Sequence, residues 1–158
     1  MTLDLRNSPT WSKAVSEQEQ YEELAYYTLA HPDPGFIHQN IVDAFAAQTA
    51  TKADKPIKIA FALVGLYLCI VKGQTGRQAQ LAHMRLAKYR KDWPRFAPPA
   101  DRGVIRVGDV IAAAPGVDRD AMIRRWCESV WAAWSHVHAE IVDLCQEKLG
   151  IARQSDGK

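Results

Sequence analysis

Three features of the sequence predict an all-α domain. Residues 57–71 read IKIAFALVGLYLCIV, with Lys58 as the one charge. A helix that is apolar on every side has to be covered on every side. Two segments carry capping-box spacing, Ser16 to Glu19 and Thr75 to Gln78. Elsewhere apolar residues recur at helical intervals, and the alternation over Val104-Ile105-Arg106-Val107 is too short to pair with anything. The predicted architecture is a helical bundle of four main helices plus a short fifth. The apolar helix 57–71 lies at its centre, and a long Pro-rich loop covers 92–102.

Taken in order, residues 1–15 form an N-terminal arm, with Trp11 as its anchor. The first helix follows Ser16, with Tyr21, Leu24, Ala25 and Thr28 at helical intervals, and ends near Ala30. His31-Pro32-Asp33-Pro34-Gly35 breaks it. Asp33 is placed to cap the second helix, 36–50, with Pro34 at its first position. His38, Ile41, Val42 and Phe45 give that helix a clear face. Asp54 would cap the central helix, and Gly73 would end it. The fourth helix, 76–91, has poor periodicity because Leu81, Met84, Leu86 and Tyr89 share no narrow face. It is expected to be peripheral and partly mobile. Trp93-Pro94 and Pro98-Pro99 mark an extended loop pinned by Trp93 and Phe96. A short helix over 108–114 ends at Pro115-Gly116. Asp118 then caps one long helix, 119–149, of about 45 Å. The single helical domain is 16–149, and the polar segment 150–158 is expected to be a disordered tail.

The totals bound the function. At 158 residues the chain makes one domain with an ordinary core. A formal charge of +2 argues against a polyanionic partner. The central run is shorter than the roughly 20 residues that span a bilayer. The N-terminus, MTLDLRNSPTW, has no apolar stretch of the secretory kind. Cys69, Cys127 and Cys145 show no paired spacing, and Cys127 and Cys145 stand about 27 Å apart on one helix. These features lead us to expect a cytoplasmic protein with no membrane segment. There is no dinucleotide-binding fingerprint, P-loop, HExxH, GxSxG or EF-hand loop, and the paired Glu-x-x-His motifs of di-iron bundles are missing.

Chemistry has to come from the helices that lean on the central one. At 100° per residue, Ile123, Cys127, Val130, His138, Ile141 and Cys145 fall within about 40° of Trp134. His138 therefore points inward, whereas His136 is solvated. His38 is in register with Val42 and Phe45, so two imidazoles on two helices face the core. An inward imidazole needs a hydrogen-bond partner, a charge or a metal. The plain alternative is a pair of core histidines satisfied by a tyrosine or a carbonyl. Facing helices of a bundle are also where metal sites are built. His38 and His138 are thus the ligand or metal candidates, one short of the usual three protein ligands of catalytic zinc. Asp43 lies about 140° round the helix from His38 and, with Tyr67 and Trp134, is a supporting candidate. Trp126 and Trp131 sit at the edges of the last helix's core face, where they could meet another protein. Arg85, Lys88, Arg90, Lys91 and Arg95 make a basic patch interleaved with Tyr89 and Trp93. Its plain reading is a solvated helix end.

His38-x4-Asp43-Ala44-Phe45-Ala46-x-Gln48, the apolar helix ending at Gly73, Val107-x-Asp109-Val110 and Trp126…Val130-Trp131-x-x-Trp134-x3-His138 form a set. That set resembles a family of small bacterial all-helical proteins of unknown function, over residues 35–145. The resemblance marks His38, Asp43, Trp134 and His138 as matching the family motif as a set, and it supplies no activity. Typical members also carry an N-terminal cysteine pair and a histidine after the Gln48 position. Here that position is Thr49 and the N-terminus has no cysteine, so any metal held through those groups has lost part of its site. A looser similarity is to damage-inducible-type four-helix bundles that hold a metal with three histidines. No third histidine can be assigned here, because His83 lies on a helix too weakly periodic to fix its direction.

The first functional reading is a divalent metal or small polar ligand bound between helices 36–50 and 119–149, by His38 and His138. One imidazole would then serve as general base in any reaction. The second is a non-catalytic accessory or assembly protein, a homodimer among its forms, acting through the aromatic long helix. Nucleic-acid binding by the 85–95 patch is the weakest of the three.

Overall fold

The computed structural model describes residues 15–89 and 92–153 of the chain. The expected N-terminal arm with Trp11, except Val15, and the patch residues Arg90 and Lys91 lie outside the described residues, as does the tail beyond Arg153. Among the described residues the fold is all-α, with helices α1 (Glu17–Ala30), α2 (Ile37–Gln48), α3 (Pro56–Ile70), α4 (Gly76–Leu86), α5 (Val107–Ala112), α6 (Val117–Ala133) and α7 (His138–Leu149). A single 3-10 turn, Ser135–Val137, joins the last two.

The apolar helix α3 lies at the centre, as its composition requires. It packs against α2, α4, α6 and α7. Every residue from Ala62 to Cys69 is buried, including Leu63, Leu66 and Leu68. Each such leucine stabilises the fold by about 1.5–3 kcal/mol relative to exposure. Helix α2 is nearly as central, touching α1, α3, α4 and α6. It therefore has polar residues to place on more than one buried side.

Local chemistry explains the ends. Ser16 accepts from the Glu19 N–H, and Thr75 and Gln78 form the reciprocal capping box. Asp33 accepts from the Ile37 N–H, but the residue that starts α2 is Phe36 in the left-handed region, not Asp33 followed by Pro34. Asp54 does not cap α3. Its carboxylate accepts from the Thr51 N–H and the Lys58 ammonium instead, and α3 has no side-chain cap.

Two helices differ from expectation. Helix α4 ends at Leu86 and is not peripheral: it packs on α2, α3 and α7. Its buried residues are Gly76, Ala79, Ala82 and Leu86, whereas Leu81 and Met84 are exposed. Small residues line its inner face, so a search for large apolar side chains loses its period.

The expected single rod over 119–149 is broken after Ala133. In a continuous helix the Trp131 carbonyl would accept from the Ser135 N–H. Here it accepts from the Trp134 N–H at 3.1 Å and from the His138 Nε2–H at 2.7 Å. Trp134 turns inward and donates its indole N–H to the Ala47 carbonyl at 3.2 Å. The tightened turn keeps Trp134 and Val137 buried, and it resets the phase of α7.

The segment 92–106 has no regular structure before α5, and Phe96 pins it to the core. Gln48 fixes its far end, donating to the Arg102 and Ile105 carbonyls at 3.0 and 2.7 Å. Arg102 answers by donating to the Gln48 and Ala50 carbonyls, which closes the C-terminus of α2. Beyond α7, Lys72 donates to the Ala152 carbonyl and Arg153 pairs with Asp143, so the chain is held against the fold as far as Arg153.

Candidate functional site

The α2–α3 interface is shaped by one contact. Asp43 is buried on α2 and faces Gly65 in the middle of α3. A Cβ at position 65 would lie 1.8 Å from Asp43 Oδ2 and 2.5 Å from its Cγ. Only a glycine lets the carboxyl seat there. The Gln39 amide, one turn earlier on α2, donates to Oδ1 at 3.1 Å. Among the described residues Oδ2 has no hydrogen-bond partner.

His83 comes to the same place from α4. Its Nε2 lies 3.9 Å from Asp43 Oδ1 and 2.7 Å from the Phe61 carbonyl. A carbonyl only accepts, so Nε2 carries the proton and Nδ1 keeps a free lone pair. The ring stacks on Phe61 at 5.2 Å between centroids. Burial holds the Asp43 carboxyl well above the usual carboxylate range, and the Gln39 bond only partly opposes it. Burial lowers His83, with the Phe61 bond opposing. Both charges of an ion pair are therefore disfavoured, and the 3.9 Å contact is not a salt bridge in the energetic sense.

Asn40, one turn before Asp43, extends the cluster. Its Oδ1 is buried without a partner among the described residues, and its carbonyl receives the Cys127 thiol at 3.6 Å. Helix α4 begins against the same turn: a Cβ at Gly76 would lie 2.0 Å from the Phe36 carbonyl and 3.2 Å from Asn40 Oδ1. The cysteines are buried free thiols. Burial raises all three, Cys145 to about 12 and Cys127 well above the usual value. They are held as thiols and are poor ligands or nucleophiles in that state.

The residues singled out from sequence are distributed as follows. His38 is half-buried toward α1, with Nδ1 2.9 Å from Thr28 Oγ1. The Thr28 hydroxyl proton goes to the Ala25 carbonyl at 3.0 Å, so the His38 Nδ1–H is the donor. Burial lowers His38. His138 is half-buried rather than facing the core, lies flat on Trp131 at 3.8 Å and donates to the Trp131 carbonyl. The bonded partners of the two imidazoles lie on α1 and α6 respectively, and share no residue. Tyr67 is buried with its ring 5.8 Å from that of Trp131. Trp134 serves the core and the C-terminus of α2. Trp126 and Trp131, expected at an edge that could meet another protein, are both buried, and the Trp126 indole donates to Gln48 Oε1 at 2.9 Å. In the basic patch, Arg85 donates to the Leu149 carbonyl at the end of α7. Among the described residues no three His, Cys, Asp or Glu side chains gather closely enough to hold a metal by themselves.

The segment that builds this arrangement, from α1 through the Trp134 turn, is also the one that a family model matches, over residues 16–135. The chain belongs to a family of unknown function, DUF5946. Asn40, Asp43, Gln48, Gly65, His83 and Trp126 lie within the stretch shared with DUF5946, whereas His138 lies outside it. No curated protein and no solved structure matches the chain.

Sequence reasoning left out Gly65 and Asn40, and left His83 without a direction. A signal for Gly65 was present. Glycine inside a helix costs roughly 1 kcal/mol relative to alanine, so one amid an unbroken apolar run marks a close approach. Nothing in the periodicity of α4 could have aimed His83, because the residues beside it that face inward are alanines.

Proposed function

We propose that the protein binds a small divalent cation where α2, α3 and α4 meet, with Asp43 as the anchoring ligand. The observation that carries this reading is Asp43 Oδ2, a carboxyl oxygen sealed in the core without a partner. Buried polar atoms are nearly always paired, and an unpaired one calls for an ion, a water or a reacting group. The neighbours narrow the choice. Asn40 Oδ1, one turn earlier on α2, is an unpaired acceptor too, so a guest that is positive or a donor fits. The tight seat against Gly65 favours an ion over an organic molecule. Carboxylate and amide oxygens suit manganese, and zinc as well where the His83 imidazole exchanges its Nε2–H bond to the Phe61 carbonyl for the ion, with water completing the shell. The locus borders α6 through Cys127 and so lies near the interval expected from sequence, with different ligands. No reaction is assigned to it.

Metal analysis of protein purified without a histidine tag tests this, together with thermal unfolding in added zinc or manganese. Wild-type protein is expected to hold close to one ion per chain, or to gain thermal stability when the ion is added. Asp43→Asn and His83→Ala lose that response, while His38→Ala and His138→Ala keep it. An unchanged response in folded Asp43→Asn overturns the proposal, as does a wild type that takes up no divalent ion. Loss confined to His38→Ala and His138→Ala would move the site to those imidazoles.

A further inference from the structure

A second site lies away from Asp43. The link 51–56, the first turn of α3 and residues 95–98 of the extended segment enclose a cavity of about 250 Å³. Ile59 and Phe96, both buried, form its floor, and Pro56 and Pro98 form rigid walls. Its volume falls just below the roughly 300–1,000 Å³ of pockets that take drug-sized ligands, so a smaller guest fits.

The charges on its lining are unequal in commitment. Lys52 and Arg95 both line the cavity, and neither has a hydrogen-bond or ion-pair partner among the described residues. The one carboxylate there, Asp54, is already spent: Oδ2 accepts from the Thr51 N–H at 2.8 Å and Oδ1 from Lys58 at 3.2 Å. Those bonds hold its pKa below the usual carboxylate range, the Thr51 bond first, so it stays ionised and locally neutralised. What remains is an apolar floor under two uncommitted cations. The uncapped start of α3 adds potential of the same sign.

We infer that this cavity binds a small monocarboxylate with a compact apolar body: the body rests on Ile59 and Phe96, and the carboxylate meets Lys52 and Arg95. Two features exclude other small ligands. A cation would face Lys52 and Arg95 with no free carboxylate, and a polyanion would place charge over the apolar floor at a desolvation cost. The site is independent of the cation site, since none of its lining residues belongs to the Asp43 cluster.

Titration of ¹⁵N-labelled full-length protein with benzoate, and separately with benzyl alcohol, tests the inference. Benzoate should give saturable amide shifts confined to residues 51–59 and 95–98. Benzyl alcohol, which keeps the body and lacks the charge, should bind roughly tenfold more weakly at the same residues. Lys52→Gln/Arg95→Gln, two exposed changes that leave the core untouched, should weaken benzoate by roughly fivefold to tenfold and leave benzyl alcohol unchanged. The inference is overturned by an absence of saturable shifts with benzoate, by shifts centred elsewhere, or by a double variant whose benzoate affinity stays within twofold of wild type.

Discussion

Replacing Gly65 by alanine probes the contact on which the proposed cation site rests. At an ordinary helix position this change stabilises by about 1 kcal/mol, because alanine loses less backbone entropy. Here the new methyl would lie 1.8 Å from Asp43 Oδ2 and 2.5 Å from Cγ, against an ordinary contact distance of 3.4 Å or more. Helices α2 and α3 would have to part by about 1.6 Å, or Asp43 would have to leave its rotamer. Both lie at the upper end of overpacking costs, about 3 kcal/mol. Net of propensity, Gly65→Ala should destabilise by about 2 kcal/mol, a fall in Tm of roughly 4–8 °C for a chain of this size. The decisive comparison is with Asp43→Ala. Once the carboxyl is gone, the same Gly65→Ala change should stabilise by about 1 kcal/mol, giving a coupling of about 3 kcal/mol between the two positions. Urea unfolding followed by tryptophan fluorescence measures all four proteins. If Gly65→Ala has the same effect with and without Asp43, the close approach does not constrain the interface and the reasoning fails.

Two further outcomes follow from the same polar interior. Gln48→Leu removes two buried donors and one buried acceptor, orphaning the Arg102 and Ile105 carbonyls and the Trp126 indole N–H, and should cost about 3 kcal/mol or more by urea unfolding. In metal-free protein, the raised Asp43 carboxyl binds a proton in the folded state that the unfolded chain releases from about pH 4 upward, so stability should fall as pH rises through the folded-state value, by up to about 1.4 kcal/mol per unit. Of the groups around Asp43, His83 is lowered and contributes with opposite sign, stability being lost as pH falls, while Tyr21, Cys69 and Cys127 are raised and titrate at the alkaline end. Asp43→Asn should therefore remove the downward slope above pH 4 and leave the His83 contribution; equal slopes in the two proteins would contradict the assignment.

How far the sequence carries depends on whether a residue's environment is local. The N-terminal caps at Ser16 and Thr75 involve partners three residues apart: Ser16 caps the Glu19 N–H, and at Thr75 the full reciprocal box with Gln78 forms. The apolar helix announces its burial by composition. The last helix shows where local reasoning stops. Nothing between Ala133 and His138 forbids a continuous helix, and no proline or glycine stands there. The break is secured by a partner 87 residues away, since the Trp134 indole reaches the Ala47 carbonyl on α2. An angle computed on an unbroken helix consequently misplaced His138 relative to the core. Asp43 faces α3 while His38 bonds to α1, and only the packing of α3 revealed that the Asp43 side of α2 is the more deeply buried one.

Helix α2 also separates architecture from function on physical grounds. Gln48 and Asp43 are both buried polar residues on the same helix. The Gln48 amide is fully employed: both donor bonds and the Trp126 bond tie α2, α6 and the extended segment together. A satisfied network of that kind rigidifies a core and needs no guest. Asp43 has one bond to Gln39, an imidazole at 3.9 Å that is not charged by its surroundings, and an oxygen with nothing. Burying a carboxyl this way costs stability that an apolar residue would not cost. Glycine at position 65 adds a second cost, in helix propensity, to keep the carboxyl where it is. Two unfavourable choices on facing helices, each of which makes sense only with the other, are what the proposed cation site requires, whereas a purely structural contact would cost less as two apolar side chains.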